Sequence, residues 1–367
     1  MFVRNIKIGI INSFGKRLLQ MLRNLKSRDF ITTQEWSREE LDRALELAAE
    51  LKEKQKKGVP HRLLEGKSLY MLFYNPSLRT RNSFQTGIFQ LGGQGIYLSP
   101  TAVYKPALTG DEIPYVTERI SDAARVLSRF GDAVSIRIYG ESVNWIYKKG
   151  NQIVREFAKW ADIPVINMEC DIFHPCQAMA DVLTIKEKLG TLEGKKVVVS
   201  WAYSGGVKPV AVPQSCVLNF TRFGAEVVLA HPKGLELDPE IIEWTKKNAD
   251  ESGGSFEISY SMNEAFEGAD VVYPKSWGSL KFMPPNVPKV DEERMLELIS
   301  KHKNWITTTE KLDLCARDVI YMHCLPADRG MEVTDEVIDG PHSLVFDEAE
   351  NRLHAQKAIM ALIMGGQ

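Results

Sequence analysis

The run Tyr74-Asn75-Pro76-Ser77-Leu78-Arg79-Thr80-Arg81 brings two hydroxyls and two guanidinium groups together in a few residues. At the N-terminus of a helix such groups join free backbone N–H donors and the positive end of the peptide dipole, which suits a small dianion such as phosphate. An ordinary strand-to-helix turn with two solvated arginines has the same composition, so the loop alone defines an anion site and no reaction. Three later segments add further chemistry: His174-Pro175-Cys176-Gln177, His323-Cys324-Leu325-Pro326 and Asn351-Arg352-Leu353-His354. They contribute three imidazoles, two amides, two thiols and a third guanidinium. His61, His231, His302 and His342 fall in loops or at element ends and are assigned no role.

These groups need a framework to converge. Ser37 with Glu40 forms a capping box ahead of the stripe Leu41, Ala44, Leu45, Ala48 and Leu51, which predicts a helix from Ser37 to Lys57 stopped by Gly58. Lys67 to Phe73 reads as a buried strand, and a helix with Phe84, Ile88 and Leu91 on one face starts near Asn82. The alternation continues with helix Glu118 to Arg129, strand Asp132 to Ile138, helix Ile153 to Trp160 and strand Pro164 to Met168. A second series starts with strand Lys196 to Trp201 and runs to strand Val319 to His323, and a last helix spans Glu348 to Met364. Such alternation predicts an α/β protein with two doubly wound parallel sheets joined by interdomain helices.

The chain has 367 residues, room for two α/β domains of roughly 150 residues each. Lys and Arg number 46 against 48 Asp and Glu, which argues against a nucleic-acid or membrane partner; any anion is held by placed groups. The five cysteines form no C-x-x-C pair, so neither a disulfide frame nor a structural zinc site is indicated, and a reducing cytoplasm fits. No window approaches the ~18 apolar residues of a spanning helix. Residues 1–28 are Arg-rich and acid-free, which reads as a basic extension or as a transit peptide.

Ser-x-Arg-Thr-Arg after a strand, His-Pro-x-Gln and His-Cys-Leu-Pro, in that order, resemble the aspartate and ornithine carbamoyltransferases. His-Cys-Leu-Pro and Asn-Arg-Leu-His are similar to the ornithine side of that family, and the likeness runs from about residue 30 to the C-terminus. The resemblance implies a carbamoyl phosphate-binding domain over residues 29–180, an amino-acid-binding domain over 181–345 and a returning helix over 346–367. It also implies a homotrimer, small-molecule substrates, and neither cofactor nor metal. Ser77, Arg79, Thr80 and the backbone of Leu78 would hold the phosphate, with Arg137 and Arg352 completing the cradle. Thr80, Arg137 and His174 would face the carbamoyl oxygen, and Gln177 and the Leu325 carbonyl would receive its NH2 group. Cys324 would sit beside the carbamoyl group, where it or the departing phosphate could take up protons; as a nucleophile it lacks a base.

Two departures bear on the acceptor. In the ornithine enzymes a strand end brings an Asp and then Ser-Met-Gly to the amino-acid head group; here Val272-Tyr273-Pro274-Lys275-Ser276-Trp277-Gly278 puts Lys275 at that place. A lysine repels an α-ammonium and suits a carboxylate or an acyl carbonyl. Lys-Ser-Trp and Asn167-Met168-Glu169 resemble the N-acetylornithine and N-succinylornithine enzymes, with Asn167, Glu169, Lys275, Leu325, Arg329 and Glu332 as candidate acceptor contacts. Glu332, however, stands where the acetylornithine enzyme has a lysine, which would change the pocket's charge. Tyr104 and Lys105 align with a loop that reaches a neighbouring subunit's site, and residues 203–213 resemble a segment that forms a trefoil knot. The leading expectation is carbamoyl transfer to an N-acylated ornithine. Free ornithine as acceptor and a non-catalytic carbamoyl phosphate-binding regulatory protein are the alternatives, and a nucleotide-binding dehydrogenase is disfavoured because no G-x-G-x-x-G is present.

Overall fold

The structure is a computed structural model that describes residues 25–365; most of the basic extension expected over residues 1–28 lies outside them. The first half contains helix α1 (Arg38–Lys56), strand β1 (Ser68–Phe73), helix α2 (Arg79–Gln90) and strands β2 (Gln94–Leu98), β3 (Lys105–Ala107) and β4 (Thr117–Arg119). Helix α3 (Ile120–Phe130), β5 (Ala133–Arg137), α4 (Lys149–Trp160) and β6 (Val165–Glu169) complete it. Helix α5 (Pro175–Leu189) leads to β7 (Lys196–Trp201), α6 (Ala211–Arg222), β8 (Glu226–Ala230), α7 (Pro239–Ser252), β9 (Ser255–Ser259), α8 (Met262–Phe266) and β10 (Val271–Lys275). Then come α9 (Glu292–Ser300), α10 (Thr309–Leu312), β11 (Ile320–Tyr321), α11 (Asp335–Ile338) and α12 (Val345–Met364).

The strands form a four-stranded sheet in the order β2-β1-β5-β6 and a five-stranded sheet in the order β11-β10-β7-β8-β9. All neighbours in both sheets are parallel. The α/β fold with two parallel sheets is the one the alternation predicts. The capping box forms as expected: Ser37 accepts from the Glu40 N–H while Glu40 accepts from the Ser37 N–H. Helix α2 starts three residues before the expected Asn82, because the Ser77 hydroxyl accepts from the Thr80 N–H at 3.1 Å and closes the turn early. The strand expected over Val319 to His323 shrinks to Ile320–Tyr321, since the His323 N–H leaves the ladder for the Glu348 carboxyl at 2.9 Å. β2 was not expected; it is a short strand containing Gly95 at the sheet edge.

Parallel sheets collect ligand-binding groups beyond the carboxyl ends of their strands. Here β1 runs into the Ser77–Arg81 loop, β5 ends at Arg137, β6 at Glu169 and β10 at Lys275. Helix α12 is buried along most of its length and packs against α1, α2 and α5, which carries Arg352 to the same end. Among the described residues no helix is long and apolar enough to cross a membrane.

Candidate active site

The anion cradle is assembled from β1, β5, α5 and α12. Arg352 is almost completely buried; one guanidinium nitrogen donates to Gln177 Oε1 at 2.6 Å and another to Thr80 Oγ1 at 3.0 Å. Among the described residues no carboxylate stands within ion-pair distance of Arg352 or of Arg79. Arg137 donates to Glu169 Oε2 at 2.6 Å and to the Pro76 carbonyl at 2.5 Å. The Nε groups of Arg137 and Arg352 and the Nδ1 of His174 are buried without a partner. Buried polar groups of this kind cost free energy unless a partner arrives, which suits a site for an anion and a carbonyl oxygen. Burial, then the charges of Arg352, Arg137 and Arg79, hold His174 well below the usual imidazole range. It is a neutral ring at pH 7 and can donate one N–H without adding charge.

Leu78 exposes 72% of its surface, so only its backbone faces the loop. Arg81, the second guanidinium of the anion loop, stacks instead 3.8 Å from the centre of the Tyr97 ring on β2.

At the carboxamide end, Gln177 Nε2 donates to Asp181 Oδ1 at 2.7 Å and to Glu348 Oε1 at 2.8 Å. Leu325 has φ of 52°, a left-handed conformation rare outside glycine, and its N–H donates to His323 Nδ1 at 2.9 Å. That bond fixes the His323 tautomer with its proton on Nε2, 3.4 Å from Glu332 Oε1.

On the acceptor side, Lys275 Nζ stands 3.3 Å from Glu332 Oε1, and both side chains are buried. Glu332 also accepts from the Ser276 N–H and the Asp328 N–H, each at 2.8 Å. Burial alone would raise the Glu332 pKa, but Lys275, His323 and the Asp328 N–H outweigh it and hold the carboxyl far below the usual range. The pair is therefore ionised and mutually neutralised, and neither Lys275 nor Glu332 carries the free charge that its type suggested.

Three other expected acceptor contacts are engaged elsewhere. Asn167 is fully buried and its Nδ2 donates to the Ile31 carbonyl at 2.9 Å, which ties β6 to the chain ahead of α1. Glu169 is held by Arg137 and lies 3.5 Å from His174 Nε2, which makes it an orienting group for both. Arg329 bonds Asp335 at 2.6 Å and Asp339 at 2.5 Å on an exposed face. Burial pushes the Cys324 thiol up to about 12, with Lys275 opposing, so at neutral pH it is a thiol and not a proton acceptor. Tyr104 and Lys105 lie exposed around the start of β3.

Asp181, Glu348 and Tyr273 were missed. Their signal was spacing: Gln177/Asp181 and Glu348/Arg352 are both i, i+4 pairs on one helix face, but only packing brings the two helices together.

The sequence matches two family models, "Aspartate/ornithine carbamoyltransferase, carbamoyl-P binding domain" over residues 28–187 and "Aspartate/ornithine carbamoyltransferase, Asp/Orn binding domain" over 199–363. It is 43% identical over 346 residues to an ornithine carbamoyltransferase of Thermococcus kodakarensis, covering 94% of this chain and 99% of that one. It is 40% identical over 351 residues to an N-acetylornithine carbamoyltransferase of Xanthomonas campestris, covering 92% and 98% respectively. A crystal structure of acetylornithine transcarbamylase complexed with acetylcitrulline superposes with a TM-score of 0.85 at 40% identity, covering 93% of this chain and 100% of that one.

Proposed function

The chain belongs to the aspartate/ornithine carbamoyltransferase family, and from that premise we infer that it moves the carbamoyl group of carbamoyl phosphate onto the side-chain amine of an ornithine-type amino acid, releasing phosphate. The observation that carries the reading is the convergence of Arg79 and Arg352, neither paired with an acid, on a neutral His174. Arg79, Arg137, Arg352, Ser77 and Thr80 would bind the phosphate, neutralising charge that grows on it as the C–O bond breaks. Thr80, Arg137 and His174 would donate toward the carbamoyl oxygen as the amine attacks, and the Gln177 oxygen and Leu325 carbonyl would accept from the NH2 group. The amine must arrive deprotonated, against an alkylammonium pKa near ~10. With Cys324 held as a thiol, the departing phosphate is the better proton acceptor.

For the acceptor, we propose an N-acylated ornithine. Glu332 already accepts from two backbone N–H groups and Lys275, so it offers little to an α-ammonium. Lys275, neutralised by Glu332, keeps an N–H donor for an acyl carbonyl without demanding a second carboxylate, which favours a neutral acyl group such as acetyl over succinyl. With carbamoyl phosphate fixed, N-acetylornithine is expected to turn over at least ~10-fold faster than ornithine, the scale of one buried polar contact. Preference for free ornithine would reverse the assignment, and turnover of none of ornithine, N-acetylornithine and N-succinylornithine would remove the enzyme reading.

We also propose that the working form is a homotrimer. Leu78, Tyr104, Ile113, Tyr115 and Phe130 are exposed apolar side chains on the first half, Tyr115 at 95%, and a second copy would cover them. Light scattering is expected to return about three chain masses; a monomer mass would rule the trimer out.

A further inference from the structure

Asp181 and Glu348 are both fully buried, one on α5 and the other on α12. Each accepts from the same nitrogen, Gln177 Nε2, and among the described residues neither stands within ion-pair distance of a cation. The groups facing them are the Cys216 thiol of α6, 3.6 Å from Asp181 Oδ2, and the Tyr273 hydroxyl of β10, 3.0 Å from Glu348 Oε1. The His323 N–H, Cys324 and, beyond Gln177, Arg352 complete the surroundings. Two full negative charges here would repel in a low dielectric, with only Arg352 beyond Gln177 to offset them. One proton held between them removes the repulsion, as in other close carboxyl pairs.

The consequence reaches the reaction site. Gln177 Nε2 has two hydrogens and both are taken, so its amide cannot flip. Its Oε1 accepts from Arg352 and keeps one lone pair. Glu348 Oε2 meanwhile holds the His323 backbone, two residues before the Leu325 carbonyl. We propose that Asp181 and Glu348 form a proton-sharing positioning pair, which fixes the Gln177 oxygen and the Leu325 carbonyl toward the carboxamide of the bound donor. This rests on the carbamoyl phosphate reading above. Burial raises the Asp181 pKa to about 6, and burial, then the Asp181 charge, raises that of Glu348 well above its usual value. A proton shared this way is lost as pH rises through the upper folded value of the pair.

The test is calorimetric binding of two probes to the full chain from neutral to alkaline pH. Phosphonoacetamide carries both the carboxamide and a phosphonate; inorganic phosphate lacks the carboxamide. Asp181→Ala is expected to weaken phosphonoacetamide about tenfold or more while phosphate changes less than about twofold. Asp181→Asn keeps the acceptor for Gln177 and cannot lose a proton; it should restore most of that loss and abolish the alkaline weakening seen in the unmodified chain. Equal weakening of both probes, or an unchanged alkaline limb in Asp181→Asn, would overturn the pair. Should Asp181→Ala fail to fold, the Asp181→Asn profile decides alone. Infrared spectroscopy separates this idea from the substrate reading: a protonated-carboxyl stretch is expected in the unmodified chain and is expected to shift or vanish in Asp181→Asn, whichever probe binds, and its absence from the unmodified chain, or an identical stretch in Asp181→Asn, overturns the shared proton. If instead phosphonoacetamide binds the unmodified chain no better than phosphate while the stretch is present, the carbamoyl phosphate reading fails and the pair stands.

Discussion

Arg79→Ala is expected to lower kcat/KM by on the order of 10³-fold or more, since removing one preorganised donor from a developing charge already costs ~10²–10³. Arg79 is partly buried at the first position of α2, and among the described residues no acid neutralises it. Its charge therefore has no structural use within the fold. Burial already disfavours the guanidinium, which holds its pKa below the usual arginine range. The variant should accordingly be as stable as the original chain, or more stable by about 0.5–1 kcal/mol, the usual reverse side of a strained functional site. Arg79→Lys keeps the charge without the planar fork and should recover only a small part of the activity. Steady-state kinetics with thermal melts on the same preparations checks both halves. Activity retained within about tenfold by Arg79→Ala would exclude it from the phosphate cradle.

Lys275→Met is expected to destabilise the fold by about 3 kcal/mol at pH 7, the size seen when one partner of a buried ion pair is removed. Glu332 is left fully buried, and His323 cannot easily become the replacement cation because its Nδ1 accepts from the Leu325 N–H. The pH dependence carries the sign. With Lys275 in place the folded Glu332 pKa lies below its unfolded value, so its stabilisation is complete above the unfolded pKa of ~4.3 and is lost as pH falls through the folded one. Without Lys275, burial dominates and the folded pKa rises above the unfolded value. The contribution is then present at low pH and lost as pH climbs through the folded value. Between about pH 4 and 7 the two proteins should show opposite contributions from this site, and Lys275→Met/Glu332→Gln should recover most of the loss. Parallel stability profiles in denaturant titrations would show that the pair does not carry Glu332. Lys275→Asp, attractive from sequence as a route to free-ornithine preference, would set two carboxylates together in the same buried place and is a poor test of specificity.

Local order was largely legible in the sequence. The apolar run before Ser77, the Ser37/Glu40 box and the strand–helix alternation depend on short-range periodicity and capping, which the chain carries in its own spacing. The site residues contributed by strand ends were legible for the same reason, since a parallel sheet sends them all to one edge. What failed was charge. Lys275 and Glu332 were read as two separate influences on a pocket, 57 positions apart, and folding makes them one neutral unit. Arg81 was read as one of two guanidinium groups in the anion loop, yet the unexpected edge strand β2 offers it the Tyr97 ring.

By itself, then, the sequence determined the α/β framework, the anion loop and the family to which the chain belongs, because motif order and local periodicity are one-dimensional properties. Only the tertiary structure decided which charges are free. Asp181 and Glu348 come from helices 167 positions apart in the chain and meet over one amide nitrogen; Arg79 and Arg352 are left without acids by the same packing. A charge's effect falls with distance and dielectric, and both are set by what the fold puts beside it.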